Sequence, residues 1–349
     1  MKTGMSLSQL AAEVERQQAS KRDFVADTRK TTLTPDASSL TLGDLGTFDL
    51  TEVAHGQVAE HLKVPRPFYD RLKTFHPDLL SDTVNTLFQR EHKRRMVRTL
   101  DGKARAFLSD RYRPLDNADL LAAVMPVILQ MGDGVRVESM TVTDSRLYIK
   151  AVFPKIEGEV KVGDPVQAGV VISNSEIGLG SLSVMPMLYR LVCLNGAIMS
   201  TFGQRQYHIG KRAAAEEQAY EMFSDETLRA DDNAFWLKVR DTVKAAANEV
   251  GFRRMLDLAR TSAGQPIVGD PTAVIEVTAK RYNINEAERS AILRSLIEGG
   301  DLSQWGLANA VTAVSQDVES YDRATELERV GGSLIELPTS EWSVLSRAA

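Results

Sequence analysis

The sequence predicts an α+β protein, with antiparallel β-hairpins packed by helices and a mostly helical C-terminal region. Three observations predict it. Apolar and polar residues alternate on both sides of the pair Asp101–Gly102, the strongest short-range hairpin signal in the chain. A second alternating pair, VRVESMTV and RLYIKAVF, is separated by Thr143–Ser145. From Ala213 onward the apolar spacing turns helical, punctuated by Gly-Gln-Pro at 264–266 and by Gly299–Gly300. The expected division is an N-terminal helix and extended segment (1–50), an α+β core with a basic hairpin (51–213), and an acidic helical region (214–349).

In chain order, residues 7–18 read as a short amphipathic helix, and 28–50 as extended or loop-like. Thr51 is a suitable N-cap for a helix whose Val53, Val58 and Leu62 share a face, and Pro65 and Pro67 break it. In the first hairpin, alternation groups Met96, Arg98 and Leu100 against Val97 and Thr99. It groups Lys103, Arg105 and Phe107 against Ala104, Ala106 and Leu108. One face then presents Arg and Lys with an aromatic, while the other packs on a core. A buried helix follows at about 117–131, then strands at 166–173 and 182–195 around a Gly-rich link. Helices are predicted at 213–223, 225–249, 251–261, 284–297 and 306–329.

Charge is distributed unevenly. The run 89–113 holds nine Lys/Arg against three acids, six net positive charges in a 349-residue chain whose total is −5. Residues 214–349 sum to −9, and 177–215 contain no acid but four basic residues. Local potential, not the total, attracts phosphate, so the overall acidity leaves nucleic acid open as a partner. A single cysteine, Cys193, excludes an internal disulfide and reads as a buried structural residue in an apolar strand. No stretch approaches 18 apolar residues and no secretory pattern opens the chain, so the expected location is cytoplasmic, with no membrane partner.

Catalytic signals are weak. Five scattered histidines and one cysteine do not form a zinc set, and no phosphate-cradling G-x-x-x-x-G-K-[ST] run or nucleophile elbow occurs. Asp144 with Glu157, Glu159 and Lys161 loosely mimics a Mg²⁺-nuclease spacing of the kind that arises often by chance. No cofactor and no enzymatic activity are expected.

Several blocks carry a resemblance: AHGQVAEHLKVPRPFYDRL (54–72), RAFLSDRYRPLDNADLL (105–121), LYRLVCLNGAI (188–198) with QYHIGKR (206–212), and QWGLANAVTAVSQDVESYDRATELERVGG (304–332). In this order they resemble a phage/plasmid-like protein family described as a domain of unknown function. The chain departs from that family's pattern after His208, where a threonine does not follow. More distantly, basic hairpins packed by a helix resemble single-strand annealing proteins of the recombination-mediator type, an analogy of fold. The resemblance implies a bacterial host cell, recombination or replication as the setting, and a homo-oligomeric ring or filament.

The expectation is an ATP-independent protein that binds and anneals single-stranded DNA. Its contact residues would be Arg94, Arg95, Arg98, Lys103, Arg105, Phe107, Arg111, Tyr112 and Arg113, extended by Arg190, Arg205, Tyr207, His208, Lys211 and Arg212. Lys and Arg would hold phosphates while aromatics stack on bases. The alternative is a mobile-element protein whose acidic C-terminal helices bind a host factor, for example to blunt a defence system, or a phage protein.

Overall fold

The computed structural model describes residues 1–112, 114–131, 134–180, 182–200, 225–246 and 248–348. The N-terminal half begins with α1 (Leu7–Ser20), whose N-cap Ser6 and Gln9 form a reciprocal capping box. Four short strands follow, β1 (Arg22–Asp27), β2 (Thr31–Leu33), β3 (Ser39–Leu42) and β4 (Thr47–Leu50). Then come α2 (Glu52–His61), α3 (Arg66–Phe75) and α4 (Pro77–Arg90), and the hairpin β5 (Arg94–Leu100) and β6 (Lys103–Ser109). Thr51 caps α2 by accepting from the Ala54 amide, and Pro67 sits in the first turn of α3, where its missing N–H costs nothing. The hairpin turns as its sequence demands: Asp101 and Gly102 both adopt positive φ, 52° and 77°.

These strands form one six-stranded sheet in the order β1-β5-β6-β4-β3-β2. The segment 28–50, expected to be extended or loop-like, thus supplies three strands, β2 to β4, and β4 pairs with β6 in parallel. The basic hairpin lies at the centre of this sheet, with β1 on one side and β4 on the other. One face packs on α2, α3 and α4 through Val58, Tyr69, Leu72, Leu80, Val84 and Phe88. Helix α4 was not expected, although Leu80, Val84 and Phe88 recur at the four-residue interval of a helical face.

The second half starts at α5 (Asn117–Gln130) and a meander, β7 (Arg136–Val142), β8 (Leu147–Glu159), β9 (Pro165–Asn174), β10 (Ser183–Arg190) and β11 (Asn195–Ile198). Its sheet is antiparallel throughout and follows chain order. The stretch 182–195, read as one strand, divides where Leu194 takes φ 50° before β11. Helices α6 (Asp225–Ala246), α7 (Glu249–Ala263), α8 (Pro271–Tyr282), α9 (Glu286–Gly299), α10 (Gln304–Val314), α11 (Tyr321–Ile335) and α12 (Thr339–Leu345) complete the described chain. The expected helix 306–329 is two helices, because Ser320 accepts from the Arg323 amide and starts α11 afresh. Helix α8 was missed, despite Asp270 as N-cap and Pro271 behind it. The segment 213–223 lies outside the described residues.

One face of the meander (Leu147, Ile149, Ala151, Val170, Ile172) shares the main core with Leu120, Val124 and Ile128 of α5 and with α7 and α10. On the opposite face, the Tyr148 and Tyr321 rings lie tilted with centres 5.3 Å apart, and Lys150 pairs with Glu328 of α11 at 2.5 Å. Helix α11 approaches β11 closely: a Cβ on Gly332 would lie 1.9 Å from the Ile198 carbonyl oxygen. Among the described residues, no helix is long and apolar enough to cross a membrane.

Candidate nucleic-acid interface

The basic hairpin has two ends with different chemistry. A bulge decides the first. Arg98 faces Ala106 across the ladder and Thr99 faces Ala104, so Arg105 is the extra residue. The extra residue breaks the alternation that grouped Arg105 with Phe107. Arg105 turns toward the side of Arg98, and Phe107 turns into the core with Val97 and Phe88.

Arg98 is fully buried. Its Nε donates to Asp23 and one Nη to Asp116, both at 2.8 Å, and the other Nη donates to the Glu176 carbonyl at 2.8 Å. Arg105 donates to the Glu176 carboxylate at 2.7 Å, and that carboxylate also accepts from the Asn117 amide at 2.7 Å. Lys21 pairs with Asp116 from the end of α1. Burial works against the Asp116 charge, yet Arg98 and Lys21 hold its carboxyl below the usual range. Tyr112 is half-buried and donates to the Ser175 carbonyl. This network fastens the hairpin to the start of α5 and to the β9–β10 link. Arg98, Arg105 and Phe107 therefore do not line an exposed face, contrary to the alternation-based expectation. A strand at the centre of a sheet with cover on both sides has no solvent face to offer.

The other end is open. Arg90, His92, Lys93 and Arg94 are exposed where α4 passes into β5, with Glu91 among them. Among the described residues, no ion pair engages Arg90, Lys93 or Arg94, while nearby Asp27 is occupied by Arg29. Arg111 is exposed just beyond the end of β6. Arg95 is half-buried, its guanidinium 5.1 Å from the centre of the Phe107 ring. It donates one long bond, 3.4 Å, to the Phe107 carbonyl, and its Nε has no partner. The His61 ring lies 5.6 Å from Phe107, with its Nε2 also unpartnered. Burial, then the charges of Arg95 and Lys93, push the His61 pKa down to about 4.

Other expected contacts fall elsewhere. Lys103 is exposed at the turn end, where Asp101 is held by Arg16. Arg190 is neutralised by Asp164, at 2.6 Å and 3.1 Å, and Trp305 donates to the same carboxylate. Hence Arg190 does not extend a basic groove. Cys193, expected in a buried strand, is exposed in the β10–β11 turn with Arg190 3.3 Å from its Sγ. Arg113, Arg205, Tyr207, His208, Lys211 and Arg212 lie outside the described residues. Sequence reasoning missed His61 as a neighbour of the basic run, since 33 residues, with two helices among them, separate it from Arg95 along the chain. No local pattern could have found it.

The nuclease-like spacing does not converge. Asp144 sits in the β7–β8 turn, whereas Glu157 and Glu159 lie at the far end of β8. That separation is about 40 Å along the strand. Lys161 pairs with Asp301 at 2.7 Å. Among the described residues, no group of three or more His, Cys, Asp or Glu is placed to hold a metal ion.

A family model, Domain of unknown function (DUF932), matches residues 105–329. The chain belongs to this family. The DUF932 segment runs from β6 to α11, so it contains Arg105, Asp116 and Glu176 together with the meander sheet. The exposed cations of 90–94, with Arg95 and His61, precede it. No curated protein and no solved structure matches the chain.

Proposed function

We propose that this protein binds single-stranded DNA without ATP and promotes annealing, in phage or plasmid recombination or replication. One observation carries the reading: Arg90, Lys93 and Arg94, within five residues of one another, are exposed with no ion-pair partner among the described residues. Cations already paired with carboxylates release no counterion when a strand arrives, whereas unpaired ones do. The contact is therefore narrower than the sequence suggests, centred on the α4–β5 junction. Self-assembly into a ring or filament belongs to the same reading, with light scattering as its measure.

The test is a fluorescence-anisotropy titration of a labelled single-stranded oligonucleotide at two salt concentrations, beside duplex of equal length. Salt-sensitive binding that favours the single strand supports the proposal and leads to a strand-pairing assay. Absence of binding at low salt sinks it.

A second reading, a host or phage protein docking on the C-terminal helices, has one observation in its favour. A cleft of about 580 Å³ between α8 and α12 is lined by Val277, Val344 and Leu345, with the Arg281–Glu341 pair at its rim. Under this reading the purified protein carries no nucleic acid and ignores heparin resin.

A further inference from the structure

Within one hairpin, two arginines that leave solvent receive carboxylates and a third does not. Arg98 meets Asp23 and Asp116, and Arg105 meets Glu176. Arg95 is half-buried with only a long bond to a carbonyl and a cation–π contact. A cation withdrawn from water ordinarily gains a counter-charge or a full set of hydrogen bonds. Glu60 and Asp110 favour its charge from a distance, but neither pairs with it. His61 from α2 adds a second unpartnered nitrogen beside the same Phe107 ring, and Lys93 adds a further positive charge. Two nitrogen groups from different elements, each beside the same ring and each without a partner, leave hydrogen-bonding capacity that an oxyanion would satisfy.

We infer that Arg95, His61 and Lys93 form a seat for a phosphate group beside the buried Phe107 ring. The Arg95 fork suits a phosphate held by two oxygens, and Lys93 supplies a mobile point charge at the rim. Identifying that phosphate as one of a DNA strand's backbone groups rests on the function proposed above; the seat itself does not. His61 reports on occupancy. In the free protein, burial and the two neighbouring cations hold its pKa at about 4, and a bound anion would raise it.

The experiment follows the His61 ring signals by NMR in the full-length chain, assigned with His61→Gln, as pH is lowered from about 7 to 5. It is run with buffer alone, with inorganic phosphate, and with a single-stranded oligonucleotide whose binding is measured in parallel. The expected result is that His61 begins to titrate with either anion, its midpoint rising by about one pH unit or more. Arg95→Gln should abolish the rise, and Arg95→Lys, which keeps the charge and packs similarly, should restore part of it. If the oligonucleotide binds and His61 titrates as in buffer, the seat is wrong and the DNA reading survives. If phosphate moves His61 while no oligonucleotide binds, the seat stands and the DNA reading falls. If neither anion moves it, the inference is overturned.

Discussion

The two ends of the β5–β6 hairpin carry the same residue type and meet opposite fates. At Arg98 and Arg105, carboxylates from β1, from the residue preceding α5 and from the β9–β10 link cancel the charge and build a joint between the two sheets. At Arg90 to Arg95, no described carboxylate pairs with the run. Charge density in a sequence therefore locates a place where charge is used, without saying whether it is used inside or outside. Delivery of a distant Asp or Glu decides that. Of the joint, Arg105, Asp116 and Glu176 fall within the DUF932 match while Arg98 and Asp23 precede it, as do the open cations Arg90 to Arg95.

Four changes break or sharpen the comparison, from the largest expected effect to the smallest. Arg98→Leu leaves Asp23 and Asp116 without their buried cation and should cost about 3–5 kcal/mol of stability, read from urea unfolding. Stability lost by less than about 1 kcal/mol would show that the joint is not a buried network.

Replacing Arg90, Lys93 and Arg94 together by Ala should lower single-strand affinity roughly tenfold to a hundredfold at low salt. The slope of log affinity against log salt should flatten by about 2, and the melting temperature should hardly move. An unchanged salt slope would place the strand elsewhere.

A pH effect follows from the histidines, which repeat the comparison on a small scale. His55 shares a 3.0 Å bond with the Tyr69 hydroxyl, whereas the His61 Nε2 has no partner. Burial, aided by Lys73, holds the His55 pKa at about 4, below its ordinary 6.5. The unfolded chain binds a proton that the folded chain refuses, so this stability is complete above about pH 6.5 and drains as pH falls toward 4. The loss amounts to at most about 1.4 kcal/mol per pH unit, and His55→Gln should flatten the fall in melting temperature between pH 6.5 and 5. Equal slopes in the two proteins would show that His55 is not buried neutral. Last, Lys103→Ala should change binding by no more than about twofold, since the turn end lies roughly 20 Å along the strand from Arg94.

Local rules made much of the architecture legible. Asp101–Gly102 specified its hairpin, Thr51 its helix, and the alternation around Thr143–Ser145 the first strands of the meander. The misses share a cause. Helix α8 and the break before α11 depended on caps at Asp270 and Ser320, easily lost among other polar residues. The strands β2 to β4, of three or four residues each, are too short for periodicity to register, and the pairing of β1 with β5 and of β4 with β6 supplies what propensity does not.

For the candidate site, the sequence by itself determined that cations concentrate between residues 89 and 113, and that a hairpin carries them. Tertiary structure alone decided which of them reach water. A one-residue bulge reversed Arg105 relative to Phe107, a central place in the sheet closed both faces, and Asp23, Asp116 and Glu176 arrived from segments 75, 18 and 71 residues away from their arginines. Side-chain alternation is a local property readable from spacing, whereas neutralising a buried charge requires a partner that only the folded chain brings within reach.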